Sequence, residues 1–314
     1  MIAVVIPCYR VRPHILDVIS AIGSGVSRIY VVDDCCPEGS GQLVQEKCTD
    51  PRVHIIWHPE NRGVGGALKS GYRQAIEDGM EIVVKIDGDG QMDPQLIPLF
   101  TRPILAGEAD YSKGNRFYDL EKIRSMPAIR IFGNAVLSMV AKFSTGYWNI
   151  FDITNGYTAI HTKVLKKIPL SKISDRYFFE TDMLFRLNTI RASAIDIPMD
   201  AVYGNEKSNL KISSILVDFI SKHLKNSFKR IFYNYFLRDM TIASLELILG
   251  VALLGFGICY GLFHWIQAVA TSSATPPGTV MLAALPTIVG LQMLLAFVTF
   301  DVSNVPSRAI HPNL

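Results

Sequence analysis

From Leu247 to Phe300 the chain carries no Asp, Glu, Lys or Arg, and that run limits what the whole can fold into. A soluble helix pair needs a polar face, and a stretch this long and uncharged has none to offer. It reads as two membrane spans, at about Ser244–Gln267 and Thr279–Phe300, each long enough to cross ~30 Å of hydrocarbon. The loop between them, AVATSSATPPG, is uncharged as well. Basic residues gather before the first span and Arg308 follows the second, which predicts both ends of the pair on the cytoplasmic side. Gly257 and Gly261 form a small-residue spacing suited to close helix packing.

The residues ahead of this run have ordinary globular composition. The 49% hydrophobic content and mean hydropathy of +0.25 are therefore raised by the C-terminal end alone. The expectation is a soluble domain followed by a membrane segment. A net charge of +3, with no nucleic-acid-binding signature, excludes a nucleic-acid partner. The five cysteines are odd in number and lack CxxC spacing, so reduced thiols are expected, with neither a disulfide framework nor a zinc site. The start, MIAVVIPCYR, has no basic n-region and runs straight into a strand, unlike a signal peptide.

AVVIP (3–7), RIYVVDD (28–34), VHIIWH (53–58) and EIVVKID (81–87) are short β-branched runs. Helix-like stretches lie between them, notably His14 to Ile22 and Gly65 to Glu77. This alternation predicts βαβ units and a mainly parallel sheet. Ligands of such sheets bind beyond the carboxyl ends of the strands. Those ends are Pro7-Cys8-Tyr9, Asp33-Asp34, His58 to Asn61 and Asp87 to Gln91, so polar residues collect on one edge. NRGVGGALKSG (61–71) opens a helix after the third strand. Its glycines suit either close backbone approach to an anion or helix–sheet packing, and it matches no dinucleotide or P-loop signature. Residues 104–176 yield no clear elements.

KIDGDGQMDP (85–94) places Asp87 and Asp89 one residue apart, directly after a buried strand. Two carboxylates held close by Gly88 suit a hard divalent cation and leave positions for phosphate oxygens. The bland alternative is a turn in which Asp and Gly serve backbone geometry. An EF-hand is excluded, because a strand precedes the motif and no Glu closes a twelve-residue loop.

Taken together, VVIPCYR, VVDDCCPEGSG, NRGVGGALKSG, KIDGDGQMDP, GNRF (114–117), DITNGYTA (152–159) and FFETDML (178–184) resemble the family-2 glycosyltransferases. With the C-terminal hydrophobic pair, the chain looks like the polyprenyl-phosphate branch, the group that includes dolichol-phosphate mannose synthases. The resemblance implies the GT-A fold, a Rossmann-like α/β domain with a mixed, mainly parallel sheet. It implies transfer, with inversion, of one hexose from a UDP- or GDP-linked sugar to a polyprenyl phosphate, undecaprenyl or dolichyl. By the same resemblance Pro7 and Tyr9 border the nucleotide base, and Asp34 or Asp33 bonds the base or ribose. Asp87, Gly88, Asp89 and Gln91 belong to the donor site, with Asp87, Asp89 and Gln91 holding Mg²⁺ or Mn²⁺. Arg116 and Arg130 serve the phosphates. A homo-oligomer, a tetramer in the family, is implied too.

The match has departures. Arg10 and Val11 follow Tyr9 where the family often has Asn-Glu. YGNEKSNLK (203–211) lacks the Arg and Lys of mannose synthases, leaving Lys207 and Lys211 to supply charge to the acceptor phosphate. No QxxRW follows FFETDML, which favours single-sugar transfer over polymer synthesis.

A lipid phosphate is already largely ionised near neutral pH and needs no general base, whereas a hydroxyl acceptor does. Asp152 is the candidate base for the second case, a transferase acting on another membrane lipid. Glu180 and Asp182 either orient sugar hydroxyls, serve the acceptor region or cap a helix start. A third reading is a catalytically dead subunit that binds nucleotide sugars. Between Asn209 and Tyr235 apolar residues recur at helical spacing, while Lys222, Lys225, Lys229 and Arg230 fall mainly elsewhere. That predicts a basic amphipathic helix at the membrane interface, with Lys222 and Lys225 as further acceptor-phosphate candidates. The predicted division is a catalytic domain over 1–209, a juxtamembrane segment over 210–240 and a hairpin with a short cytoplasmic tail over 241–314. The expected setting is the inner, cytoplasmic membrane, in contact with its lipids, with the catalytic domain in the cytoplasm.

Overall fold

The structure, a computed structural model, describes residues 1–118, 128–200 and 212–314, and the side chains of all of these but 128–130 and 212–216. It forms two compact units, Met1–Phe228 with Val305–Leu314, and Lys229–Asn304.

The first unit is built on β1 (Ile2–Cys8), β2 (Arg28–Asp33), β3 (Val53–Trp57), β4 (Ile82–Lys85), β5 (Tyr111–Asn115), β6 (Thr158–His161) and β7 (Ala194–Pro198). They pair in the order β3-β2-β1-β4-β6-β5-β7. Strands β1 to β4 are mutually parallel, β5 is parallel to β7, and β6 runs antiparallel to both of its neighbours. The mixed, mainly parallel sheet expected from the sequence is what forms. The reversed β6 has a consequence for function, because its entry, Thr154 to Gly156, arrives at the edge where the parallel strands end.

Both faces of the sheet are covered, which explains why its strands read as continuous hydrophobic runs. Ala3, Val5, Tyr30 and Val32 face α3 (Val64–Glu77) and α7 (Phe179–Thr189), whose Leu68, Tyr72, Met183 and Leu184 complete one core. Val4, Ile6, Ile29 and Val31 face α1 (Ile15–Ser20), α2 (Ser40–Lys47) and α4 (Ile97–Leu105) in a second. The side chains alternate between these cores with the period of two that a strand imposes. Gly71 belongs to helix–sheet packing: a Cβ there would stand 2.9 Å from Val5 Cγ2.

Two further helices of this unit bear apolar stripes that none of its described residues covers. On α5 (Ala128–Thr145) the stripe is Phe132, Val136, Met139 and Val140. On the part of α8 (Ile212–Phe232) inside the unit it is Val217, Ile220, Leu224 and Phe228, of which Phe228 is 75% exposed. The inner side of α8 is fixed by Phe219 against Phe178, His223 Nδ1 against Ser144 Oγ at 2.8 Å, and Asn226 on Asp182 at 2.8 Å. Lys225 and Lys229 are exposed, and Lys222 pairs with Asp218 at 2.7 Å.

Val305–Leu314 returns to the first unit although the sequence division at 241 sets it with the hairpin. The reason is Asp110, a fully buried carboxylate that accepts hydrogen bonds from the amides of Ile310 and His311 and meets His311 Nδ1 at 2.8 Å.

The second unit is a helical hairpin, α9 (Ile242–Thr271) and α10 (Pro277–Ser303), preceded by a π-helical turn over Tyr233–Arg238. Both helices are long and apolar enough to cross a membrane, with mean hydropathies of 2.2 and 2.1, and most of their surface is exposed rather than buried as in a soluble core. They approach closely where Gly257 lies against Thr287 and Gly290 against Leu254. Arg230, which the sequence groups with a basic surface, is turned inward instead. It forms a two-pronged pair with Asp301 at 2.6 and 3.0 Å, and Tyr235 donates to the same carboxylate at 2.6 Å.

Candidate active site

A cleft of about 620 Å³ opens beyond the carboxyl ends of β1 to β4, the size range of a nucleotide-scale ligand. Pro7, Tyr9, Asp34, Asn61, Gly63, Asp87, Gly88 and Asp89 line it from the strand ends. Thr154 and Gly156 enter from the β6 side, and Arg176, Tyr177 and Glu180 from the start of α7.

Asp33 and Asp34 are adjacent in sequence and divided in role. Asp33 is turned away from the cleft and accepts from the Cys36 and Gly41 amides at 2.9 and 2.8 Å, fixing the entry to α2. Asp34 lies at the cleft and accepts from the Arg62 and Gly63 amides at 2.9 and 2.7 Å, while His58 meets it at 2.7 Å. It thereby shapes the glycine loop that walls this side of the cleft. Of the two alternatives left open for the base or ribose, only Asp34 borders the cleft. Gly63 adopts φ +82°, where a side chain would be strained and would meet the 175–176 backbone.

At the end of β4 the carboxylates also part company. Asp93 accepts from the Gln95 amide and starts a helical turn, so it belongs to the turn. Asp87 and Asp89 remain at the cleft, Asp89 accepting from the Gln91 amide at 3.0 Å. Lys85, 1% exposed at the last position of β4, reaches Asp87 Oδ1 at 2.8 Å and lies 3.9 Å from Glu180. Burial works to lower the Lys85 ammonium, but Asp87 and Glu180 outweigh it and hold it above its ordinary value. Burial raises Glu180, with Lys85 and Lys113 opposing. Lys113, fully buried in β5, donates to Asn155 O and is lowered to about 8 by burial. Gly156 of the DITNGYTA motif is required here, since a Cβ would run into Lys85 Nζ and Asp87.

Among the described residues no three His, Cys, Asp or Glu side chains gather as a complete metal cage. The donor set nevertheless fits a hard divalent cation, because Mg²⁺-type ions take one or two carboxylates and complete their shell with phosphate oxygens and water. Asp87 and Asp89 are such a pair. Gln91 is not among the lining residues; its contribution visible in the structure is the amide on Asp89.

Arg116 and Asp152 are brought together from β5 and the approach to β6. Arg116 Nε and Nη2 take both oxygens of Asp152, at 2.7 and 3.0 Å, and Nη2 also reaches Thr154 Oγ1 at 3.0 Å. With both oxygens engaged by a guanidinium, Asp152 aims and steadies Arg116. Asp182 is likewise committed, to the Ser174 amide and hydroxyl and to Asn226. The Arg130 side chain and Lys207 and Lys211 lie outside the described residues.

Lys85, Arg176 and Tyr177 are cleft residues that the sequence reading missed. A lone lysine inside EIVVKID was a signal, since a buried strand does not keep a cation without a partner. Arg176 and Tyr177 gave none, being placed by the docking of their loop on α3, where Gly66 N donates to Asp175 O at 3.1 Å and Lys69 to Ile173 O at 2.9 Å.

The chain belongs to glycosyl transferase family 2, whose family model matches residues 3–169. Among its relatives is a polyprenol monophosphomannose synthase of Mycolicibacterium smegmatis, 29% identical over 201 residues, 62% of this chain and 75% of that protein. An undecaprenyl-phosphate mannosyltransferase of Micrococcus luteus is 30% identical over 56% of this chain and 72% of its own. A UDP-N-acetylglucosamine–dolichyl-phosphate N-acetylglucosaminyltransferase of Methanococcus voltae is 25% identical over 70% and 92%. In fold it is similar to glucosyl-3-phosphoglycerate synthase of Mycobacterium tuberculosis, solved with Mn²⁺ and UDP, with a TM-score of 0.53 at 17% identity over 73% of this chain and 79% of that one.

Proposed function

We propose that this family 2 glycosyltransferase moves one hexose from a nucleotide diphosphate sugar to a polyprenyl phosphate at the cytoplasmic face of a membrane. The observation that carries the reading is the joining, in one chain, of a nucleotide-sized cleft holding Asp87 and Asp89 to a hairpin with an exposed apolar surface. Relatives named for polyprenyl-phosphate acceptors support the acceptor class. Because those relatives differ in sugar, the hexose is left open.

In this reading Pro7, Tyr9 and the Asp34-held loop receive the nucleoside. Asp87 and Asp89 hold Mg²⁺ or Mn²⁺, which when bound screens the diphosphate and stabilises its departure. Arg116, aimed by Asp152, offers its remaining positive charge to a phosphate, and Arg176 adds a second guanidinium at the cleft. The acceptor phosphate arrives ionised, so the residues need only bring two anions together and shield them from each other. Attack from the face opposite the leaving diphosphate inverts the anomeric centre.

A polyprenyl tail stays in the bilayer, each buried CH₂ being worth about 0.8 kcal/mol. The phosphate is therefore met at the surface. The exposed stripe of α8 with Lys225 and Lys229 beside it supports that segment as the interfacial element. Incubating the full-length protein with a panel of nucleotide sugars and undecaprenyl phosphate, then weighing the lipid products, tests the reading. A lipid gaining one hexose mass is the expected result; hexose transfer only to a hydroxyl lipid would replace it.

A further inference from the structure

Asp196 belongs to none of the motifs read from the sequence and does not line the cleft, yet it stands behind the Arg116–Asp152 pair. It lies in the edge strand β7, in register with Lys113 of β5. Its Oδ2 accepts from Asn115 Nδ2 at 2.9 Å and from the Phe151 amide at 3.1 Å. Asn115 immediately precedes Arg116, and Phe151 immediately precedes Asp152. One carboxylate oxygen thus ties together the two backbones that carry the pair. Asn115 extends the hold: its Oδ1 accepts from the Phe117 amide at 2.9 Å, closing a turn around Arg116. Phe117 and Phe151 then meet edge to face, with ring centroids 5.4 Å apart.

The approach to Asp152 is laid along β7 at every second residue. The Tyr147 hydroxyl donates to Ala192 O, Asn149 Nδ2 to Ala194 O at 2.7 Å, and the Phe151 amide to Asp196. The first two contacts end on backbone carbonyls, which a substitution in β7 leaves in place. The third ends on a side chain, and of the three it is the one that also reaches β5.

We propose that Asp196 is the positioning residue of this pair, fixing the direction from which Arg116 meets a phosphate. It rests on the reading of the site as a nucleotide-sugar transferase in which Arg116 serves a phosphate. A bidentate fork matches the two side chains to each other, but the matched pair still swings with its backbones. A third partner gripping both backbones removes that freedom. The requirement is strict, because a misplacement of about 1 Å costs transfer about a hundredfold.

The wild type and variants are compared as full-length proteins with Mn²⁺, undecaprenyl phosphate and the nucleotide sugar that the panel selects, reading kcat, KM and Tm. Asp196→Ala releases both donors, and kcat is expected to fall about tenfold. Asp196→Asn keeps an acceptor oxygen for them, and the Oδ1 it replaces has no hydrogen-bond partner among the described residues. Its kcat should stay within about threefold of wild type. Arg116→Ala lowers kcat by itself, and adding Asp196→Ala to it should cost less than about twofold more, since the residue acts through Arg116. If Asp196→Ala does not fold, Asn115→Ala cuts the β5 arm alone, with the same loss and the same non-additivity expected. A full tenfold further loss in the Arg116→Ala background overturns the assignment and leaves the transferase reading in place. A lowered Tm with kcat unchanged overturns it too, because that marks a purely structural brace. A wild type that transfers no hexose from any donor of the panel overturns both.

Discussion

The catalytic unit and the hairpin unit both bury charge, and they treat it in opposite ways. In the hairpin unit Arg230 and Asp301 meet prong to prong and Tyr235 fills the same carboxylate. In the catalytic unit Lys85 divides itself between Asp87 at 2.8 Å and Glu180 at 3.9 Å, and both carboxylates keep oxygens facing a cleft. A charge network closed on itself specifies a structure, whereas one left open at a cavity waits for a ligand. The contrast separates the two kinds of site without reference to motifs.

The largest expected effect breaks the open network. Asp89→Asn removes one anionic ligand at the cleft edge, so transfer activity should fall by orders of magnitude while thermal melting stays near wild type. Undiminished turnover of this variant in excess EDTA would remove the metal assignment. The closed network should respond in stability instead. Asp301→Asn leaves Arg230 buried without its counter-ion and is expected to remove about 3–5 kcal/mol, read as a lowered Tm in detergent. Replacing both partners with leucine should recover most of the loss, because neither charge is then stranded.

A smaller effect tests the intermediate case, Arg116 with Asp152. Asp152→Asn frees the guanidinium to wander, and kcat should drop about tenfold with no change in the shape of the pH–rate profile. Loss of the limb on the acid side of that profile, where a carboxylate base is protonated, would mark Asp152 as a base.

The smallest effect concerns acid. Burial pushes His161 and His223 down to about 4. The unfolded chain therefore takes up protons below pH 6.5 that the folded chain refuses, so this stability is complete above pH 6.5 and is lost as pH falls toward 4. Asp196, raised to about 6 by burial, acts in the opposite sense between pH 6 and 4. Two histidines against two carboxyls, Asp196 and the likewise raised Glu180, should still give a Tm that declines from pH 7 to pH 5, because the histidine losses begin at pH 6.5, above the pH at which Asp196 starts to gain. His223→Gln should make the decline shallower; an unchanged slope would place the acid sensitivity elsewhere.

What the sequence determined by itself follows from periodicity and from charge. The apolar runs of β1, β2, β3 and β4 carry their own pattern, and a strand buried on both faces can hardly read otherwise. The uncharged run from Leu247 to Phe300 yields, by composition alone, two helices long and apolar enough to cross a membrane. The pairing of Asp87 with Asp89 was likewise legible, because the spacing is local. What only the tertiary structure decided are pairings between residues distant in the chain. Asp33 and Asp34 are neighbours in sequence, yet one faces α2 and the other the glycine loop. Asp152 is committed to Arg116, and Arg230 turns inward to Asp301. Val305–Leu314 returns to the catalytic unit because Asp110, buried far upstream, satisfies its amides. A carboxylate's role depends on which donors reach it. Donors brought in by other strands and helices leave no trace in local sequence, whereas the desolvation that makes their choice matter exists only once the chain has folded.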